Sequence, residues 1–196
     1  PTTYNLLVQE DGLVEYISAF SLLACSMILF HSIYKRWANL KLSQTIGLAL
    51  MSFILFFGFG EEVSWGQRIF GIISPDFFVE NNLQNETNIH NLKLYGIKLN
   101  QWIFTYLLVG LCTVYFLALP LVVRFYTINH FLSNYAIPIP RWEYSLVFLI
   151  ASLALNLISI PRISELWECI FSITLLIVCA NPHELNHDSE NFKYAK

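Results

Sequence analysis

The chain has 196 residues, of which 56% are hydrophobic and only 13% charged, with a formal net charge of -3. A soluble domain carries about 25% charged residues, so this composition excludes an ordinary water-soluble globule and indicates a polytopic membrane protein. Lys and Arg are scattered singly or in pairs, with no basic stripe, which argues against a nucleic-acid partner.

Taken in order, the apolar runs long enough for a hydrocarbon core of about 30 Å are 13–33, 44–63, 101–123, 143–160 and 164–181. The expected fold is all-α: one membrane helix bundle over 1–196 with about five spans. The first run follows the acidic segment VQEDGLVEY and lacks a basic leader and an A-x-A site, so it is expected to stay as a span. Between the second and third runs lies a long polar loop, 64–100, and long ordered loops usually carry function. Within it Ser74-Pro75-Asp76 marks a helix start, with Pro75 as first helical residue, predicting a short interfacial helix that carries Phe77, Phe78 and Val79. Cys25, Cys112, Cys169 and Cys179 fall inside apolar runs without C-x-x-C spacing and read as small core residues.

The basic residues suggest an orientation. Lys35, Arg36, Lys41, Arg124, Arg141, Lys193 and Lys196 share one side and outnumber Arg68, Lys93, Lys98 and Arg162 on the other. The positive-inside tendency then puts the N-terminus and loop 64–100 outside and the C-terminus in the cytoplasm. Trp37, Trp65, Trp102, Trp142 and Trp167 all sit near predicted span ends, as an aromatic belt would.

Alternation of the spans brings the acids to one face. Glu10, Asp11 and Glu15 open the first span, Glu61 and Glu62 close the second, Glu165 and Glu168 open the fifth, and Glu86 lies in the loop beside Asn88 and His90. If the helix continues past Glu62, Glu61, Trp65 and Arg68 fall on one stripe at i, i+4 and i+7. A bowl of carboxylates around Arg68 and His90 follows, and such a cluster demands salt bridges, retained protons or a metal. For Asp11, Glu15, Glu165 and Glu168 a plainer account stands beside this one, since acids suit the first turn of a helix. Glu61 and Glu62 sit at the unfavourable end of theirs and need partners; a Glu61–Arg68 or Glu62–Arg68 salt bridge is the structural alternative.

The blocks EDGLVEY (Glu10 to Tyr16), GEEVSWGQRIFG (Gly60 to Gly71) and NLQNETNIHNL (Asn82 to Leu92) resemble a group of uncharacterised bacterial integral membrane proteins with EDGxxEW, EExSWGQR and NxQxExNxHN blocks. Here Tyr16 stands where that pattern has Trp. The resemblance implies a bacterial inner-membrane setting and draws attention to Glu61, Glu62, Trp65, Gln67, Arg68, Gln84, Glu86, Asn88 and His90, but implies no reaction.

Three function classes fit these residues. One is an enzyme on a lipid or lipid-linked substrate, with Glu61, Glu62, Arg68 and His90 as catalytic groups. Asp11, Glu15, Trp65, Gln67, Gln84, Glu86, Asn88, Glu165 and Glu168 would support them. Glu61, Glu62 and His90 would be ligands of a divalent cation, for which an oxygen-rich site favours Mg, Mn or Ca. The second is a non-catalytic subunit docking a protein partner through loop 64–100. The third is a cation or proton transporter, with Asn156, Thr105 and Thr113 as its modest deeper polar steps.

Overall fold

The computed structural model describes residues 3–9, 12–99, 102, 106–158, 160–183 of the chain. The molecule is 74% helix and 3% strand. A short helix α1 (Thr3–Val8) precedes α2 (Leu13–Arg36), which a 3-10 turn at Trp37–Asn39 ends. Then come α3 (Leu42–Glu62), α4 (Gln67–Phe70), α5 (Asp76–Asn81) and a two-stranded hairpin of β1 (Lys93–Leu94) and β2 (Ile97–Lys98). The chain continues through α6 (Leu108–Thr113), a π-helical stretch at Val114–Ala118, α7 (Leu119–Val122), α8 (Tyr126–Asn134), α9 (Trp142–Asn156) and α10 (Ile163–Ala180).

Among the described residues three segments are long and apolar enough to cross a membrane: Thr3–Asn39, Leu42–Glu62 and Ile163–Ala180. The other two expected spans are shorter apolar helices, Leu108–Val122 and Trp142–Asn156. Both ends of α2 suit its dipole, with Glu15 in the first turn and Lys35 and Arg36 in the last. At the start of α3 the Gln44 side chain accepts the Lys41 backbone N–H at 3.0 Å, holding a donor that the helix itself leaves open.

The helix α2 is central, packed against α3 on one side and α10 on the other. Small residues permit the close α2–α3 approach, because two backbones draw near only where side chains are short. Ser26 and Ser52 meet there: each hydroxyl donates to the other residue's carbonyl, at 2.8 and 2.9 Å. Around them Cys25, Leu29, Ile33, Leu48, Leu55, Phe116, Leu175 and Val178 form the apolar core. The cysteines thus pack as expected, with Cys25, Cys112 and Cys179 buried and all of them free thiols.

Loop 64–100 is more ordered than its composition suggests. Ser74-Pro75 does precede a short helix, but Pro75 is extended (ψ 148°) and the helix opens at Asp76. The hairpin, which the sequence reading did not anticipate, turns through Tyr95 (φ 51°) and Gly96 (φ 81°), the left-handed pair that a two-residue turn requires.

Candidate functional site

The membrane-edge motif is built by a break in the helix. At Glu62 α3 stops, and Ser64 (φ 46°), Trp65 (φ 54°) and Gly66 (φ 75°) are all left-handed. Left-handed geometry strains Ser64 and Trp65 by about 1–3 kcal/mol each, so the surroundings must hold them. Gly60 is part of that holding: a Cβ there would meet the Trp65 ring at 2.7–2.8 Å, so only glycine lets the indole fold back over the helix end. The continuous stripe of Glu61, Trp65 and Arg68 expected from helical spacing is therefore corrected. The indole still reaches Glu61, its Nε1–H donating to Glu61 Oε1 at 3.0 Å.

Glu61 is 2% exposed. Its other oxygen accepts the backbone N–H groups of Ile89 (2.6 Å) and His90 (3.0 Å), so a carboxylate in the helix plugs the open amides of the loop above it. Such charge-assisted bonds are worth roughly twice neutral ones. Arg68 pairs with neither Glu61 nor Glu62, contrary to the structural alternative raised by the sequence. Its guanidinium instead bridges Glu15 on α2 and Glu86 in the loop, both at 3.1 Å.

The loop is a hydrogen-bonded roof. Asn88, 1% exposed, donates to Ser64 Oγ at 2.8 Å and to Glu86 Oε2 at 3.0 Å, while Ser64, fully buried, donates to Glu86 Oε2 at 2.5 Å. Gln67 accepts the Thr87 backbone N–H at 2.7 Å and donates to Ser74 Oγ at 2.5 Å. The Asn82 amide holds the turn through Asn88 Oδ1 at 2.8 Å, and its own oxygen accepts the N–H groups of Gln84 and Glu86. Asn91 Nδ2 donates to Gln84 Oε1 at 2.6 Å and lies 2.9 Å from His90 Nε2. An amide NH2 only donates, so His90 Nε2 accepts and the neutral ring carries its proton on Nδ1, the atom 4.0 Å from Glu61 Oε2. Burial pushes the His90 pKa below its ordinary 6.5, against the pull of Glu61 and Glu86.

Beneath the roof is a cavity of about 220 Å³ between α2, α3, α6 and α10. Glu61, Glu62, Glu168 and His90 line its polar end; Leu22, Ile54, Leu55, Phe57, Leu108 and Phe171 make its apolar walls. Glu62 is repelled by Glu15, Glu165 and Glu61, and neither it nor Glu168 has a hydrogen bond or ion pair among the described residues.

The candidate residues thus separate. Glu61, Trp65, Gln67, Arg68, Gln84, Glu86 and Asn88 build the roof, Glu15 anchors it, and Glu62, Glu168 and His90 face the cavity. Glu165 lies one turn before Glu168 on α10, and Asp11, like Thr105, falls outside the described residues. Among the described residues no three His, Cys, Asp or Glu side chains are grouped to hold a metal. Sequence reasoning missed Asn82, Asn91 and Ser74 as structural donors and acceptors, and the apolar wall. The wall was legible in part, since Glu168, Phe171 and Ser172 recur at helical spacing.

Comparison with family models, curated proteins and solved structures finds no match to this chain. The functional reading therefore rests on the geometry of the site.

Proposed function

We propose that the chain is a five-span protein of a bacterial inner membrane, with the N-terminus and the roof outside, that binds a lipid-type amphiphile in the cavity and acts on it by acid–base chemistry. The observation that carries this reading is that Glu62 and Glu168, contributed by two helices, face one apolar-walled cavity without a hydrogen-bond partner among the described residues. An apolar pocket with a few convergent polar groups is the usual form of a small-molecule site. A carboxylate at that depth calls for a proton, a cation or a donor-bearing head group. An amine or hydroxyl head with an aliphatic chain supplies both halves of the match: donors for Glu62 and Glu168, and a chain against Leu22, Leu55 and Phe171. In this reading Glu62 and Glu168 exchange the substrate's proton, and His90, neutral and half-buried at the polar end, is the relay. Glu61 and Arg68 act as positioning groups through the roof.

The test uses purified protein in lipid nanodiscs, a brominated dodecylamine and the matching brominated fatty acid, with binding read as tryptophan quenching. The unmodified protein should take the amine in preference to the acid, and Glu62→Gln with Glu168→Gln should erase that preference. An unchanged preference in the double variant would sink the reading.

A second reading, a subunit that docks a protein partner, draws on exposed apolar groups of the loop: Ile69, Phe70, Ile73 (90% exposed) and Phe77. It requires Phe77→Ala with Phe78→Ala to abolish assembly while the cavity variants leave it intact.

A further inference from the structure

A second opening, a cleft of about 270 Å³, lies between α6, α9 and α10 and includes Val109, Leu155, Asn156, Ser164, Trp167 and Glu168 in its lining. Glu168 therefore lines both this cleft and the cavity beneath the roof. Neighbouring residues alternate between the two: Leu108 belongs to the cavity and Val109 to the cleft, Phe171 to the cavity and Trp167 to the cleft. The Trp167 and Phe171 rings stack with centroids 6.1 Å apart and planes 11° from parallel, forming a partition one turn deep beside Glu168. Trp167 is braced from behind by Phe148, edge-on at 5.8 Å.

We infer that this cleft is the lateral portal through which an amine-headed amphiphile reaches the cavity from the bilayer, its head group passing Glu168. The inference rests on the amphiphile reading above and adds its route. The roof is tightly bonded over Glu61, whose two oxygens are both taken, and Ser64 and Asn88 are buried within it. The cleft, in contrast, is bounded by exposed residues: Asn156 at the end of α9 and Ser164 in the first turn of α10 are both open to the surroundings. Its walls match the ligand in sequence along the path. Asn156 and Ser164 offer polar contacts to a head group at the membrane edge, Val109 and Leu155 offer apolar contacts to the chain, and Glu168 attracts a cationic head at the junction. A fatty acid brings no cation to Glu168 and gains no ion pair there.

The portal makes a kinetic demand that the cavity alone does not. Narrowing it should slow arrival and departure together and leave equilibrium occupancy unchanged, because both rates cross the same barrier. Val109→Phe and, separately, Leu155→Phe add bulk to opposite walls. Stopped-flow mixing of each nanodisc-embedded variant with brominated dodecylamine, read by Trp167 quenching, should show both rate constants reduced by about tenfold or more, a change of the size that steric gating commonly gives. The dissociation constant should stay at the unmodified value. Unchanged rates in both Phe variants would overturn the portal while binding itself persisted. Failure of the unmodified protein to bind the amine at all would overturn the amphiphile reading and the portal with it.

Discussion

Glu61 and Glu62 are adjacent in the chain and opposite in circumstance. The first is saturated: one oxygen holds an indole, the other two backbone amides, and almost none of it meets solvent. The second faces a cavity with no hydrogen-bond donor among the described residues, and Glu15, Glu61, Glu165 and Glu168 repel it. The same contrast separates the roof from the cavity beneath. In the roof Glu61 and Glu86 have partners supplied by the fold, so these acids are accounted for by architecture. In the cavity the acids are placed by architecture but not satisfied by it, and an unsatisfied carboxylate in an apolar setting asks for something from outside the chain.

The sharpest way to break that comparison is to remove the saturated member. Glu61→Ala leaves two amides and an indole N–H without their acceptor under a strained turn. The expected loss is roughly 3 kcal/mol or more, since bonds to charged groups contribute about 1.5–3 kcal/mol each and are not additive. Denaturation in detergent, with protease cleavage of loop 64–92 as a local readout, checks it; a loss under about 1 kcal/mol would mean that the roof is held elsewhere. Arg68→Ala should rank next. The guanidinium is 27% exposed, so the pair energies are partly screened, but two carboxylates lose their shared cation. About 1–2 kcal/mol is expected, falling as salt is added to the unmodified protein.

How much of this was legible in the sequence follows from the same contrast. Apolar length alone indicated the helices Leu42–Glu62 and Ile163–Ala180, which are long and apolar enough to cross a membrane, because the fit of about 20 residues to hydrocarbon is a property of composition. The convergence of Glu15, Glu62, Glu165 and Glu168 was legible too, from the alternation of apolar runs in the sequence. The division of labour was not. It depends on the left-handed turn at Ser64 and Trp65, and non-glycine residues adopt that geometry only when tertiary contacts impose it. Helical spacing therefore aimed Arg68 at Glu61, whereas the turn sends it to Glu15 and Glu86. The hairpin at Tyr95-Gly96 and the π-helical stretch in the third apolar run were missed for a related reason: their local residues permit several backbones, and packing selects one.

Two smaller tests probe the joint between roof and cavity. Gly60→Ala puts a methyl group into the Trp65 ring and should cost about 1–2 kcal/mol, with a shift in tryptophan emission as the indole is pushed off Glu61. An unshifted emission would mean that the ring yields without leaving its acceptor. The pH test concerns His90. Its folded pKa is lowered by burial, so below about 6.5 the unfolded chain binds the proton more readily than the folded one. Stability should be full above that pH, decline as pH falls through it toward the lowered folded value, and level off below. The slope in that window is at most about 1.4 kcal/mol per pH unit for one proton. His90→Gln should flatten this part of the profile; persistence of the full slope would assign it to other groups.

The smallest expected change carries the most information. Glu62→Gln replaces a carboxyl group that has no hydrogen-bond partner among the described residues and whose ionised form is repelled by Glu15, Glu61, Glu165 and Glu168, while keeping the shape and the hydrogen-bonding capacity of the end group. Nothing in the fold is released by that exchange, and the repulsion that opposes ionisation is relieved. Stability should therefore be unchanged or rise by up to about 1 kcal/mol, the reverse of what the neighbouring substitution does, because an unpartnered ionisable group in an apolar site contributes a penalty rather than a contact. Natural proteins keep such penalties where function requires them. A clear destabilisation by Glu62→Gln, measured beside Glu61→Ala under the same conditions, would show that Glu62 is held by the fold after all and would return both glutamates to the roof. Unchanged or increased stability, joined to loss of amine preference, would make Glu62 a residue retained at the expense of the folded state for the chemistry of the cavity.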